Sequence, residues 1–195
     1  MNTISKKIFS HQLKFGSDNK KDYPGWEETI LDSVCEIKKG KQLNKEELDQ
    51  FGLYPCLNGG VLTSGFSEKY NTCENTITIS EGGNSCGFVN FMKTKFWLGG
   101  HCYKVSPCQD LNLLYFYQLL KFNEENIMNL RVGSGLPNIQ LKDLKRFAVK
   151  ISLSTEEQNK IANFLLFIDS KTDIEVQLLG KLLEQKNYLL ANMFI

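Results

Sequence analysis

A chain of 195 residues suits one domain of ordinary size plus an appendage. Its 42% hydrophobic and 23% charged residues are the mix of a folded protein, and no run of 18 apolar residues implies a membrane span. The net charge of +1 decides nothing about nucleic acid, because phosphate contact depends on local clusters of Lys and Arg rather than on the sum.

Residues 1–22 form a polar, lysine-rich lead-in, and MNTISKKIF is not followed by the long apolar stretch of a secretory signal. Residues 23–153 carry short apolar segments punctuated by glycine. Asn75–Ser80 alternates β-branched with polar residues, as a half-buried strand does. Glu81–Ser85 is the following turn and Gly87–Phe91 the returning strand, so a hairpin is predicted. Lys95–Leu98 and Cys102–Val105 read as strands on either side of Gly99-Gly100-His101. Leu111–Lys121 has helical spacing, with Asp110 the expected cap. Arg131–Leu136 is a glycine-rich turn, and Asn138–Val149 leads through a short helix or turn into a strand.

The segment 154–195 has no proline and one glycine. Ser154 with Glu157 fits a capping box. Ile161, Phe164, Leu165, Ile168, Val176, Leu179, Leu182, Leu183, Leu189, Leu190 and Met193 recur at helical spacing, interrupted at Thr172 and Glu175. Forty helical residues extend about 60 Å at 1.5 Å per residue, so one such helix overhangs its domain and its stripe needs a partner. The alternative is two shorter helices broken near Gly180, although one glycine costs only about 1 kcal/mol. The two ends also echo each other: Ile4–Ser10 and Leu189–Ile195 both run apolar, polar, then apolar–Phe.

Six cysteines, at 35, 56, 73, 86, 102 and 108, form no C-x-x-C pair. They are read as reduced, mostly buried thiols of a cytoplasmic protein, and no metal is expected. Positive charge clusters at Lys38, Lys39 and Lys41, at Lys93 and Lys95, and at Lys142, Lys145, Arg146 and Lys150.

The order of these elements resembles one repeat of the specificity subunit of type I restriction–modification enzymes. The strongest stretch is Gly133-Ser134-Gly135-Leu136-Pro137-Asn138-Ile139, then Leu144, then Ser154 to Leu165 with Glu157-Gln158 and Ile161-Ala162, then Ile168-Asp169. Gln12–Phe15, Tyr23, Trp26 and Leu31 resemble a family domain start, and Asn75–Ser80 with Gly82, Gly83 and Gly87–Val89 one subgroup's central hairpin. Residues 150–154 lack the prolines the family often has, and Glu81 stands where a basic residue is common. Because the chain holds one unit where a full subunit holds two, and opens on Ile8-Phe9 as if cut inside a helix, the resemblance implies the C-terminal half of such a subunit, expressed separately or truncated.

The resemblance implies an α+β fold: a mixed α/β target-recognition domain over residues 23–153 with a twisted, largely antiparallel sheet. Residues 1–22 would be the remnant of a preceding helix. Residues 154–195 would be a spacer and dimerisation helix, in antiparallel coiled coil with a partner helix. Its function would be sequence-specific recognition of double-stranded DNA, directing methylation and cleavage by modification and restriction subunits. Lys38, Lys39, Lys41, Lys93 and Lys95 would frame the phosphates, and Ser134 would meet one through the backbone. Asn58, Asn84 and His101 would read base edges, with Gly59 permitting close approach; Glu81 would repel phosphate but can accept from a cytosine amino group. Ile161, Leu165, Ile168, Leu179, Leu183 and Leu190 would meet the partner helix, from a second copy or another half subunit, and a homodimer would read a split palindrome. No catalytic residue and no cofactor are expected: the chain has neither an N/D-P-P-Y/F methylation motif nor a G-x-x-x-x-G-K-S/T phosphate loop. Two rivals stand beside this reading. One is a truncated assembly module that binds modification subunits or dimerises without reading DNA; the other is a small hydrolase using Cys102 and His101.

Overall fold

The computed structural model describes residues 3–16, 23–133 and 135–193. Three sheets form the β part. Strands β1 (Trp26–Ile30) and β9 (Ala148–Ser152) pair antiparallel. A four-stranded antiparallel sheet has the order β2 (Cys35–Lys39), β8 (Cys102–Pro107), β5 (Thr76–Ser80), β6 (Val89–Met92). A third sheet sets β3 (Tyr54–Leu57) between β4 (Gly65–Ser67) and β7 (Trp97–Leu98), with β3 and β7 parallel. The expected hairpin is present as β5–β6, with Thr76 opposite Met92 and Ile79 opposite Val89.

Strand β5 is buried along its whole length rather than on alternate residues. It lies inside its sheet, and both faces are covered. Ile77 and Ile79 join the main core with Val89, Tyr103 and Val105. On the other side Ser80 reaches Gly59 past the end of β3, and Met92 packs on the cluster of Leu57, Phe96, Leu98 and Cys102. Two of the three polar residues of β5 have the hydrogen-bond partners that burial demands: Thr76 donates to the Cys73 carbonyl and Ser80 to the Gly59 carbonyl.

Helix α3 (Leu113–Phe122) lays Tyr115, Phe116, Leu119 and Leu120 on this core. Its cap is Asn112, not Asp110: the Asn112 carboxamide oxygen accepts the Tyr115 amide at 2.9 Å, satisfying one of the orphan donors of the first turn. The short helices α2 (Leu31–Val34), α4 (Glu124–Met128) and α5 (Leu141–Lys145) each bury one apolar side chain: Leu31, Ile127 and Leu144.

The lead-in is not a polar tail. Helix α1 (Thr3–Phe9) buries Ile8 and Phe9. Phe9 sits among Trp26, Tyr115 and Phe122 at ring separations of 6.2, 5.9 and 5.4 Å. Burial of side chains this size is worth about 1.5–3 kcal/mol each, so residues 3–9 belong to the domain's core rather than lying outside it. The rest of the lead-in, from residue 17 to 22, lies outside the described residues.

The last helix, α6, runs unbroken from Thr155 to Met193 through Gly180. Ser154 caps it as expected, its hydroxyl oxygen accepting the Glu157 amide at 3.2 Å. The reciprocal arm takes a different path. The Glu157 carboxylate accepts the Ser152 hydroxyl, and the Ser152 oxygen accepts the Ser154 amide at 3.1 Å, so the box closes through a residue of β9. The first turns of α6 bury Ile161, Ala162 and Leu165 in the domain's own core. From Asp169 onward every described residue is exposed. That free portion is about 36 Å long at 1.5 Å per residue.

Candidate nucleic-acid interface

Five loops meet at one end of the two larger sheets. They follow β2 (Gly40–Gln42), β3 (58–64), β5 (81–88) and β7 (99–101), and the fifth is the glycine-rich turn before α5 (131–140). They are stitched by backbone hydrogen bonds: Gly40 N–H to the Cys102 carbonyl at 2.9 Å, Gly99 N–H to Leu57 at 2.8 Å, Glu81 N–H to His101 at 2.9 Å and Gly83 N–H to Pro137 at 3.0 Å. Gly40 and Gly99 are among the glycines required by proximity. A Cβ on Gly40 would collide with the Gly99 carbonyl, and one on Gly99 would collide with the Asn58 carboxamide.

Between these loops lies an open groove of about 580 Å³, lined by Lys39, Asn58, Gly59, Gly60, Ser64, Glu81–Gly83, Ser85, His101 and Leu136–Asn138. It gathers five of the expected contact residues, Lys39, Asn58, Gly59, Glu81 and His101, from separate parts of the chain. Asn84 is exposed on the loop after β5. Ser134 lies outside the described residues.

Several of these side chains also make contacts within the protein. Glu81 is buried on the groove floor, its side chain 10% exposed, and one carboxylate oxygen accepts both Lys39 Nζ at 2.7 Å and the Tyr103 hydroxyl at 2.9 Å. Lys39 is therefore engaged within the protein. Burial, with the Glu81 carboxylate adding to it, pushes the Tyr103 phenol well up, so it remains a hydroxyl donor. The Asn58 Oδ1 accepts the His101 amide at 3.2 Å, which spends one face of the carboxamide on loop geometry. Gly59 is buried and faces inward: its carbonyl accepts the hydroxyls of Ser80 and Ser85. The His101 side chain stays 63% exposed on the rim.

The remaining lysines are spread out. Lys38 is exposed and pairs with Glu36 at 2.8 Å, while Lys41 is exposed beside the groove, its carbonyl accepting the Trp97 indole at 2.9 Å. Lys95 sits over the Tyr70 ring at 4.9 Å. Lys93 lines a different groove, with Phe91, Tyr117 and Asp169, where α6 leaves the domain. Sequence reasoning missed Ser85, Pro137 and Asn138 as groove residues. The link is long-range: Gly82 and Asn138 form a bridge across 56 positions of chain.

The thiol beside His101 is no nucleophile. Cys102 points inward, its sulfur accepts the Gly59 amide at 3.0 Å, and burial pushes the thiol up to about 12. All six cysteines are unpaired, with Cys35, Cys56, Cys86 and Cys102 buried. Among the described residues no three His, Cys, Asp or Glu side chains could hold a metal ion, and no helix is long and apolar enough to cross a membrane.

The expected partner-helix residues divide into two groups. Ile161 and Leu165 are consumed by this domain's core and Ile168 is half-buried at the exit, so none of the three is a free contact. Leu179, Leu183 and Leu190 are about half exposed, together with Val176, Leu182 and Met193.

The structure is thus an α+β domain that gathers loops around one groove and projects a long helix whose described apolar residues beyond Ile168 are exposed. The family model for the type I restriction modification DNA specificity domain matches residues 23–184, and the chain belongs to that family. It is 35% identical over 150 residues to a Mycoplasma genitalium protein named as a type I specificity subunit, covering 76% of this chain and 39% of that protein. A Mycoplasma pneumoniae protein named likewise is 35% identical over 161 residues, covering 82% and 42%. The crystal structure of a type I restriction–modification S subunit from M. genitalium superposes with a TM-score of 0.76 at 33% identity, over 91% of this chain and 46% of that one. The chain thus spans less than half the length of these relatives.

Proposed function

We propose that this chain recognises DNA sequence for a type I restriction–modification complex, directing methylation and cleavage by partner subunits and catalysing neither. The observation that carries the reading is the convergence of five loops on one polar groove at the far end of a rigid α+β domain. A duplex shows its bases at the bottom of a phosphate-walled channel, and reading them needs protruding groups of fixed geometry framed by cations. The stitched loops supply fixed geometry, and Lys41 is an exposed cation on the loop after β2.

Helix α6 is the spacer. Its exposed stripe pairs antiparallel with a second helix and holds two recognition domains at a set distance. With two copies of this chain the site read is a split palindrome, since a two-fold protein imposes its symmetry on the DNA.

The test is binding and methylation with the modification subunits present. A sequence-selective gel shift that weakens with salt, and a methylated motif in cells carrying this chain and its methyltransferase partner, are the expected results. Assembly with the modification subunits without any selective shift would show a module that does not read DNA.

A further inference from the structure

The groove floor holds an acceptor with no donor. Lys39 and Tyr103 both donate to Glu81 Oε1. Among the described residues no donor bonds the second oxygen, Oε2; the His101 Nδ1 stands at 3.9 Å, too long for a hydrogen bond. An ionised carboxylate is acceptor-only and has about four lone-pair sites. The side chain as a whole is only 10% exposed, but Oε2 is not fully buried and can be reached from the groove.

The two side chains are placed by their own backbones. The Glu81 amide donates to the His101 carbonyl at 2.9 Å, and the His101 amide donates to Asn58. The loops after β5 and β7 are thereby locked together, and the carboxylate and the imidazole share the space between them. The imidazole is largely exposed, so a group entering the groove meets it first and the carboxylate beneath it.

We propose that Glu81 and His101 are a base-reading pair that selects a base bearing an exocyclic amino group, with Lys39 and Tyr103 as positioning residues for the carboxylate. The inference rests on the DNA-reading function proposed above. In the major groove cytosine offers its N4 amino donor, and adenine its N6 amino donor beside the N7 acceptor. Glu81 Oε2 accepts from either amine; His101 donates to N7 when the base is adenine. Thymine O4 and guanine O6 place a second acceptor against the carboxylate and are rejected. One good contact pair of this kind discriminates by about 5- to 150-fold.

The experiment selects binding sites from random duplexes with the full chain and its modification subunits, using wild type, Glu81→Gln and His101→Ala. Wild type is expected to fix one position of the motif as an amino-bearing base. Glu81→Gln relaxes that position alone by about 5- to 150-fold and leaves the others unchanged. Replacing the selected base by its analogue lacking the amino group, purine for adenine or 2-pyrimidinone for cytosine, weakens wild type and leaves Glu81→Gln indifferent. If the fixed base is adenine, His101→Ala relaxes the same position; if it is cytosine, it does not. Should Glu81→Gln fail to fold, wild type and His101→Ala on the two analogues carry the test. Selective binding unaffected by removal of the amino group overturns the pair alone. Absence of any selective binding by wild type overturns the DNA-reading function, and the pair with it.

Discussion

Gln118 on α3 donates its side-chain amide to the Asp169 carboxylate on α6 at 2.7 Å, at the point where the helix leaves the domain. Gln118 is buried, and beyond Asp169 the described part of the helix is exposed throughout. The bond ties α3 to α6 and is the last side-chain hydrogen bond between the two helices among the described residues. Asp169→Ala strands a buried amide, at a cost of about 1–3 kcal/mol. The expected outcome is a lower urea midpoint with an unchanged slope; an unchanged midpoint would show the contact to be incidental.

The exposed stripe is predicted to hold two helices together. Leu179 and Leu183 are 57% and 50% exposed, so replacing both with Glu leaves the domain's core intact. Sedimentation should show wild type at twice the chain mass and Leu179→Glu/Leu183→Glu at the chain mass, with equal melting of the domain. A wild type that sediments as a single copy at high concentration would remove the second copy as the helix's partner.

Ser154→Ala removes the cap of α6 and should cost about 1 kcal/mol. Ser152→Ala should cost more, because the Ser152 hydroxyl donates to the buried Glu157 and its oxygen accepts the Ser154 amide. Comparing the two denaturation midpoints checks the order.

Cysteine accessibility gives a separate check. Cys73 and Cys108 are exposed and the other four thiols are buried, so a thiol reagent should label two residues in the native protein and six in denaturant. The buried thiols also predict alkaline sensitivity. Burial raises Cys35 and Cys102 from the usual value near 9 to about 12, so between those values the unfolded chain releases protons that the folded one keeps. This contribution to stability is complete below pH 9 and falls as pH rises toward 12. Cys102→Ala should flatten that fall, and chemical denaturation across the pH range reads it.

Lys38 is exposed on β2 and Lys41 on the loop that follows it, and both are proposed to meet phosphate. Removing a single phosphate-binding cation lowers the slope of log affinity against log salt by about 0.9. Lys38→Gln and Lys41→Gln should each do so without changing the selected motif. The exposed Lys38–Glu36 pair is of the kind worth about 0–1 kcal/mol, so stability should be nearly unaffected. A changed motif would place these residues on bases instead.

Local chemistry made several elements readable. The β5–β6 hairpin, the long helix and its Ser154 cap follow from residue type and spacing alone, because strand alternation, helical periodicity and capping act over a few residues. Gly180 did not break α6, since a single glycine is a small cost against 39 residues of continuous hydrogen bonding. The glycine-rich loops were legible as loops, and Lys39, Asn58, Glu81 and His101 as polar groups within or beside them.

Which way those groups point was decided only by the tertiary structure. Lys39 and Glu81 are 42 residues apart, and nothing in either neighbourhood announces that they pair. Gly59 looks like a reading group in a polar turn, yet its carbonyl is turned inward onto Ser80 and Ser85, while Asn58 lines the groove and holds the His101 amide. The same holds for the helix stripe. Ile161 and Leu190 have the same spacing and chemistry, and only the position of α3 and the sheets assigns the first to this domain's core and leaves the second exposed. The sequence by itself determined the β5–β6 hairpin, the long helix and its cap, because their causes are local. The tertiary structure decided which polar groups are spent inside the protein and which apolar face stays open, because burial is a property of the assembled chain.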